Sequence, residues 1–232
     1  MSELLQSKWG AVLLTILVYL LFRKVQQHFR WALLNPILWS ITVLAVVLYT
    51  LDVPYVAYEE SAASISFLLS PSVVALGVLL YMKYPMFKGN IKPLVLALFI
   101  GSVVGVLSVV LLLFVLGVDE VLLVTLAPKS VTTPIAMKIT TLLGGIPSLV
   151  AVVVILVGIF GAVVGPKLLQ WAGVKNKVAI GLSLGAGAHG IGTAKALEIG
   201  ILEGAAAGVA IGIMGGFTAF ITPLIGAIFR LF

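Results

Sequence analysis

The stretch LVLALFIGSVVGVLSVVLLLFVLGV, residues 94–118, carries no charged side chain and decides the class of fold. About 20 apolar residues in a helix cross the hydrocarbon core of a bilayer. This stretch is long enough, and its apolar residues do not alternate with polar ones as in a strand of a membrane β-barrel. Working outward, similar runs recur at 9–22, 33–51, 146–164 and 203–229. The 232-residue chain is 62% hydrophobic and 9% charged, against about 25% charged in an ordinary soluble domain. The fold class is therefore an all-α integral membrane protein, a polytopic helical bundle of about 6–8 membrane segments.

Three further segments are interrupted. Segment 61–82 is broken at Ser70-Pro71, segment 121–143 between Pro128 and Pro134, and segment 178–200 between Gly185 and Gly192. The expected helix breaks are Pro71, Pro128, Pro134, Gly187 and Gly190. The loops at 23–30, 83–92 and 167–177 are basic and the links at 52–60 and 119–120 acidic, so the basic loops are placed in the cytoplasm. The loop at 167–177 fits only if 121–143 enters and leaves on one side, as a re-entrant hairpin. The net charge of +6 is then a topology signal rather than a nucleic-acid footprint. The run after Lys8 has no small-residue cleavage site near its end and reads as a retained helix. With no cysteine, disulfides and thiol chemistry are excluded.

An internal repeat organises the chain. Residues 95–139 align with 150–199, so that Gly117-Val118-Asp119 falls on Gly173-Val174-Lys175 and the stretch from Lys129 to Thr133 on that from His189 to Thr193. The linker is acidic in the first copy and basic in the second, which implies opposite insertion. Inverted repeats with helices broken at matching positions mark secondary transporters. The expected organisation is N-terminal transmembrane helices at 1–60 and a core at 61–232. That core holds inverted repeats at about 94–143 and 146–200, each with one interrupted helix, and a C-terminal helix 203–229 striped by Gly204, Gly208, Gly212 and Gly216. The stripe suits close helix packing or a sliding surface, and leaves a homodimer open.

Irregular backbone at membrane depth is tolerated only inside protein or beside water. Lys129 lies between two prolines, each of which frees a carbonyl. A lysine at mid-membrane costs at least about 2.5–3.5 kcal/mol, so Lys129 reads as a substrate-anchoring cation or as a snorkelling interfacial residue. His189, among Gly187, Gly190 and Gly192, reads as a substrate-binding or proton-carrying group or as a structural histidine. Lys195 and Glu198 share a helix face and form either an ion pair or, with His189, a proton-coupling unit. Ser130, Thr132, Thr133 and Thr193 donate hydrogen bonds to a ligand or cap half-helices. Half-helix N-termini after each break, at Gly190 and Gly192 in the second, add backbone N–H groups. Together these groups suggest a small anion. No nucleotide loop or zinc helix is present, two histidines do not make a metal site, and no cofactor is expected.

At these residues the chain resembles the LrgB/CidB family, over about residues 68–229. The resemblance rests on Pro128-Lys129-Ser130-Val131-Thr132-Thr133-Pro134-Ile135-Ala136, on Gly144-Gly145-Ile146-Pro147-Ser148, and on Ala188-His189-Gly190-Ile191-Gly192-Thr193-Ala194-Lys195-Ala196-Leu197-Glu198. Ser70-Pro71-Ser72-Val73 departs from the Gly-Pro-Ala-Thr of the family pattern. The resemblance implies two kinds of function. Plant relatives are plastid inner-envelope translocators for glycolate and glycerate. Bacterial members are described as plasma-membrane modulators of murein hydrolase activity and autolysis, acting with a small holin-like LrgA/CidA-type partner, with links to pyruvate and other short acids.

The expectation is a secondary carrier for small monocarboxylates, not an enzyme. Lys129, Ser130, Thr132, Thr133, His189, Gly190, Gly192 and Thr193 would bind the substrate, and His189 or Glu198 would carry a coupled proton. Its partners are the small carboxylate, membrane lipid and the holin-like protein. The rival expectation is a holin-like regulator of autolysin export without carrier activity.

Overall fold

The computed structural model describes residues 5, 7–29, 36–68, 71, 74–75, 78, 81–82, 85 and 88–228, and among these every regular element is helical. Contacts divide the chain into two compact units, Met1–Ala75 and Leu76–Phe232.

In the first unit, α1 (Lys8–Phe29) and α2 (Pro36–Thr50) pair, followed by the short α3 (Tyr55–Ser61) and α4 (Ala63–Phe67). The expected end of the first span at Phe22 is corrected: α1 continues through Arg23, Lys24 and His28. Long basic side chains can lie along an apolar helix with their charge in the headgroups, so charge alone does not end a helix. Arg30 lies outside the described residues. The Phe22 and Trp39 rings stack 6.0 Å apart, and the Thr15 and Tyr58 hydroxyls share a hydrogen bond beside a core of Leu5, Ala11, Val53 and Ala62. Of the expected break at Ser70-Pro71, Pro71 lies in helical backbone, while Ser70, Ser72 and Val73 are outside the described residues.

The second unit holds a 3-10 turn (Lys88–Asn90), α5 (Ile91–Val115), α6 (Glu120–Leu126), α7 (Thr133–Leu142), α8 (Pro147–Trp171), α9 (Lys177–Ile199) and α10 (Ile201–Ile228). Among the described residues, α1, α5, α8 and α10 are long and apolar enough to cross a membrane. The expected end of the sixth span at Gly165-Pro166 is also corrected, because α8 runs through Pro166 to Trp171 and α10 likewise runs through Pro223. Neighbouring groups in a packed membrane bundle can satisfy the carbonyl that such a proline frees.

Four helix ends among the described residues close on a positive φ with the same pair of backbone bonds, at Asp52, Gly117, Gly144 and Gly173, and two of them are continued alike. Gly117 and Gly173 adopt φ of +68° and +71°, a region glycine enters without a Cβ penalty. At the first, the Gly117 and Val118 amides donate to the Phe114 and Leu113 carbonyls; at the second, Gly173 and Val174 donate to Gln170 and Leu169. Both are Schellman closures. A side-chain cap then opens the next helix. Asp119 accepts from the Leu122 amide at 2.8 Å, and Asn176 from the Ala179 amide at 3.0 Å. The aligned Lys175 takes no such part, and the cap falls one residue later.

The packing gives each helix a direction. The first half of α5 shares a cluster with the first half of α10 (Leu94 and Leu98 with Ala206 and Ala210). The second half of α5 shares another with the end of α10 (Val106 and Val110 with Ile221 and Ile225), so the two helices run parallel. Val178, Leu182 and Ala186 of α9 join the first cluster, and Leu123 and Val124 of α6 the second. These segments therefore meet α5 at opposite ends.

Helix α9 is not straight. His189 has φ 40° and ψ −124°, outside helical values. A Cβ on Gly192 would strike the Leu184 carbonyl, although residues eight apart in a straight helix lie about 12 Å apart along the axis. The second half, α9b (190–199), therefore folds back on the first, α9a (177–188), with His189 at the tip. Gly187 and Gly190, expected to make this break, are themselves helical and flank it. A Cβ on Gly185 would meet the Ala207 backbone, and one on Gly181 the Glu203 carbonyl, which brings α10 down beside α9a.

The close approaches carry a test. Gly185→Ala is expected to lose about 1–3 kcal/mol of stability through backbone overpacking. Gly187→Ala, whose Cβ meets nothing within 4 Å, is expected to melt at or above the wild-type temperature in detergent.

Candidate functional site

The first interruption spans residues 127–132, between α6 and α7. Pro128 lies inside it, whereas Pro134 sits in the first turn of α7, where a proline costs no hydrogen bond. Two threonines fasten the arms of this turn. The Thr125 hydroxyl donates to the Val121 carbonyl at 2.6 Å and accepts from the Ile146 amide at 2.8 Å. The Thr140 hydroxyl donates to the Thr125 carbonyl at 3.3 Å. Both threonines are fully buried, and a Cβ on Gly145 would meet them at 2.6 and 2.8 Å. With the end of α6 held beside the end of α7, residues 127–132 form the tip of a second hairpin.

Both tips lie near the middle of long helices. Ser130 rests against Gly105, about midway along α5, where an added Cβ would lie 4.0 Å from its Oγ. His189 rests against Gly158 in α8, where an added Cβ would come within 2.8 Å of the imidazole Cε1. Only a residue without a side chain admits the ring there. The Lys129 ammonium donates to the Ser130 hydroxyl at 3.0 Å. Val131 of the same tip shares a buried cluster with Val150 and Val154 of α8. Gly158, against which His189 rests, lies one turn beyond Val154. The two tips thus approach the same stretch of α8, one carrying Lys129 and Ser130, the other His189.

Within this arrangement two polar atoms are left over. His189 is 4% exposed and Thr193 3%, and neither His189 Nε2 nor Thr193 Oγ1 has a hydrogen-bond partner. Burying such a group unpaired costs about 1–3 kcal/mol, and these two lie one turn apart on one helix. The backbone at His189 adds to the cost, since a non-glycine residue in such a conformation carries strain on the order of 1–3 kcal/mol. The helices that leave the tips, α7 and α9b, both start there. At the start of α7, Thr132 occupies the N-cap without a side-chain cap bond, and Thr133 is the first helical residue. In α9b, Gly190 is exposed and Gly192 is packed on Leu184. Two positive helix ends, one ammonium and two unpartnered side-chain atoms suit a small anion with a second polar group.

Lys195 and Glu198 do not join this cluster. They pair with each other at 2.8 Å further along α9b, with side chains 40% and 68% exposed. Gly158, Thr125 and Thr140 were not among the residues expected to matter. The signal for Gly158 was its place one turn before Gly161 on the same apolar helix.

Replacing His189 separates backbone from imidazole. His189→Gly is expected to be about 1 kcal/mol more stable than His189→Ala, because glycine accepts the positive φ. Thermal unfolding of the two variants side by side checks this.

Residues 15–228 match the LrgB-like family. The chain is 36% identical over 194 residues to the uncharacterized protein YwbG of Bacillus subtilis, covering 84% of this chain and 86% of the relative. It is 30% identical over 229 residues to the holin-like protein CidB of Staphylococcus epidermidis, covering 99% and 100%. No solved structure matches.

Proposed function

Because the chain belongs to the LrgB-like family of membrane proteins, we propose that it is a secondary carrier for small monocarboxylates of the glycolate, glycerate and pyruvate kind, and not an enzyme. The observation that carries this reading is the meeting of two interrupted segments, with His189 Nε2 and Thr193 Oγ1 buried there without partners. Lys129 and the two helix ends hold the carboxylate. Ser130 and Thr193 meet the 2-hydroxyl or 2-oxo group, and Thr132 and Thr133 line the approach. One ammonium neutralises one carboxylate, which favours monoanions over dianions. His189 is the group suited to carry a coupled proton.

The carrier reading includes an inverted repeat, α5 to α7 against α8 to α9, with about 6–8 membrane segments and two re-entrant hairpins. It is supported by the Schellman closure followed at once by a side-chain cap, at Gly117 with Asp119 and at Gly173 with Asn176, and by hairpins that approach α5 from opposite ends. Rigid movement of one hairpin group past the rest, in the manner of an elevator, would carry the site between the two faces. The location is the bacterial plasma membrane.

A second reading is favoured by the name of a relative, the holin-like protein CidB. In that reading the protein regulates murein hydrolase export and autolysis together with a small holin-like LrgA/CidA-type membrane protein, without carrier activity. Proteoliposome flux separates the two. The carrier gives saturable uptake of one or two short monocarboxylates, reduced at least about tenfold by Lys129→Ala and by His189→Ala, as expected where a charged hydrogen bond is lost. Normal flux in both variants, or size-tolerant leakage of dyes without saturation, overturns the carrier.

A further inference from the structure

We propose that the outward face of the α9 hairpin lines a water-filled route from the α9–α10 turn to the tip at His189. The identity of the anion that travels along it rests on the carrier reading; the route does not.

The exposed positions of α9a and α9b recur at helical spacing: Ser183 and Gly187 on one arm, Gly190, Ala194 and Glu198 on the other. Residues four apart share a face, so each arm presents a strip of small or polar residues, bordered near the end of α9b by the exposed Leu197 and Ile199. Neighbouring helices expose a different chemistry: Val104 on α5, Val152 and Phe160 on α8, Phe220 and Leu224 on α10. Those large apolar side chains suit lipid. The Lys195–Glu198 pair does not, since charged groups in a membrane segment face water or protein. At the mouth of the strip this exposed pair marks the polar end of the route.

The upper end of the strip leads to ligand-seeking atoms. Nothing lies within 4 Å of a Cβ built on Gly187 or Gly190, so open space flanks His189 on both sides. His189 lies between those two glycines in the chain, and its Nε2 and the Thr193 Oγ1 are buried behind that surface without partners. A strip of small residues alone would be packing surface. One that carries an exposed ion pair and leads to two unsatisfied polar atoms is a path for a polar solute.

The absence of native cysteine makes the test direct. Ser183→Cys, Gly187→Cys and Ala194→Cys are made singly in the full chain, reconstituted in liposomes, with Leu156→Cys on the apolar face of α8 as reference. A membrane-impermeant sulfonated methanethiosulfonate is supplied on both sides of the bilayer. The three route positions are expected to react at least about tenfold faster than the reference, because the reactive thiolate forms in water. Glycolate in excess is expected to slow the reaction at Gly187→Cys. Rates as slow as the reference at all three, with every thiol still labelled by a lipid-soluble maleimide, overturn the route. Fast labelling without protection by any short acid upholds the route and counts against the carrier. Slow labelling beside saturable flux does the reverse.

Discussion

Backbone that leaves the helix at the depth of a bilayer loses its hydrogen bonds where no water can replace them. The second unit of this protein leaves the helix twice, beside helices long and apolar enough to cross a membrane, and its other features follow from how those two places are enclosed. Each tip is pressed against the middle of a long apolar helix at a glycine, Gly105 for Ser130 and Gly158 for His189. The first hairpin is held by the hydroxyl bonds of Thr125 and Thr140, and the second by close backbone approach at Gly192 to its own other arm and at Gly185 to α10. Small residues therefore serve the site indirectly, by letting helices come close enough to bury it.

That enclosure sets up the chemistry. A lysine, a histidine and a threonine are brought toward one another with the starts of two helices, and no carboxylate of the described residues hydrogen-bonds to any of them. An acidic partner would have made a closed structural ion pair. Without one, the arrangement remains electrically incomplete, as a site for a small anion would be. The strain at His189 points the same way, because a glycine at that position would satisfy the backbone better and would supply no imidazole.

Much of this was legible in the sequence. The uncharged run 94–118 fixes the membrane class, and the prolines around Lys129 mark the first interruption. The second was placed correctly but attributed to the wrong residues. Glycine is the usual carrier of a positive φ, yet Gly187 and Gly190 are helical and His189 takes the turn. Gly185 and Gly192 serve close approach instead. Pro166 and the basic residues after Phe22 misled for a related reason. Proline is a poor helix residue in water and a charged side chain is costly in lipid, and both are tolerated where a membrane bundle or headgroup layer compensates. The Thr125–Ile146 and Thr140–Thr125 bonds join residues 21 and 15 apart in the chain, and no local pattern announces them.

The central claim is that the unpartnered atoms at the meeting tips belong to a bound carboxylate. Thermal unfolding of the purified protein with glycolate, glycerate, lactate, pyruvate and acetate tests it without assuming transport. A ligand that binds only the folded state stabilises by RT ln(1 + [L]/Kd), about 2.7 kcal/mol at a hundredfold excess over Kd. A saturable rise is expected with one or two of the hydroxy or oxo acids, weaker with acetate, and lost in Thr193→Val. If no acid at concentrations on the order of 10 mM shifts the transition, or if Thr193→Val responds like the wild type, the site does not bind what its geometry suggests.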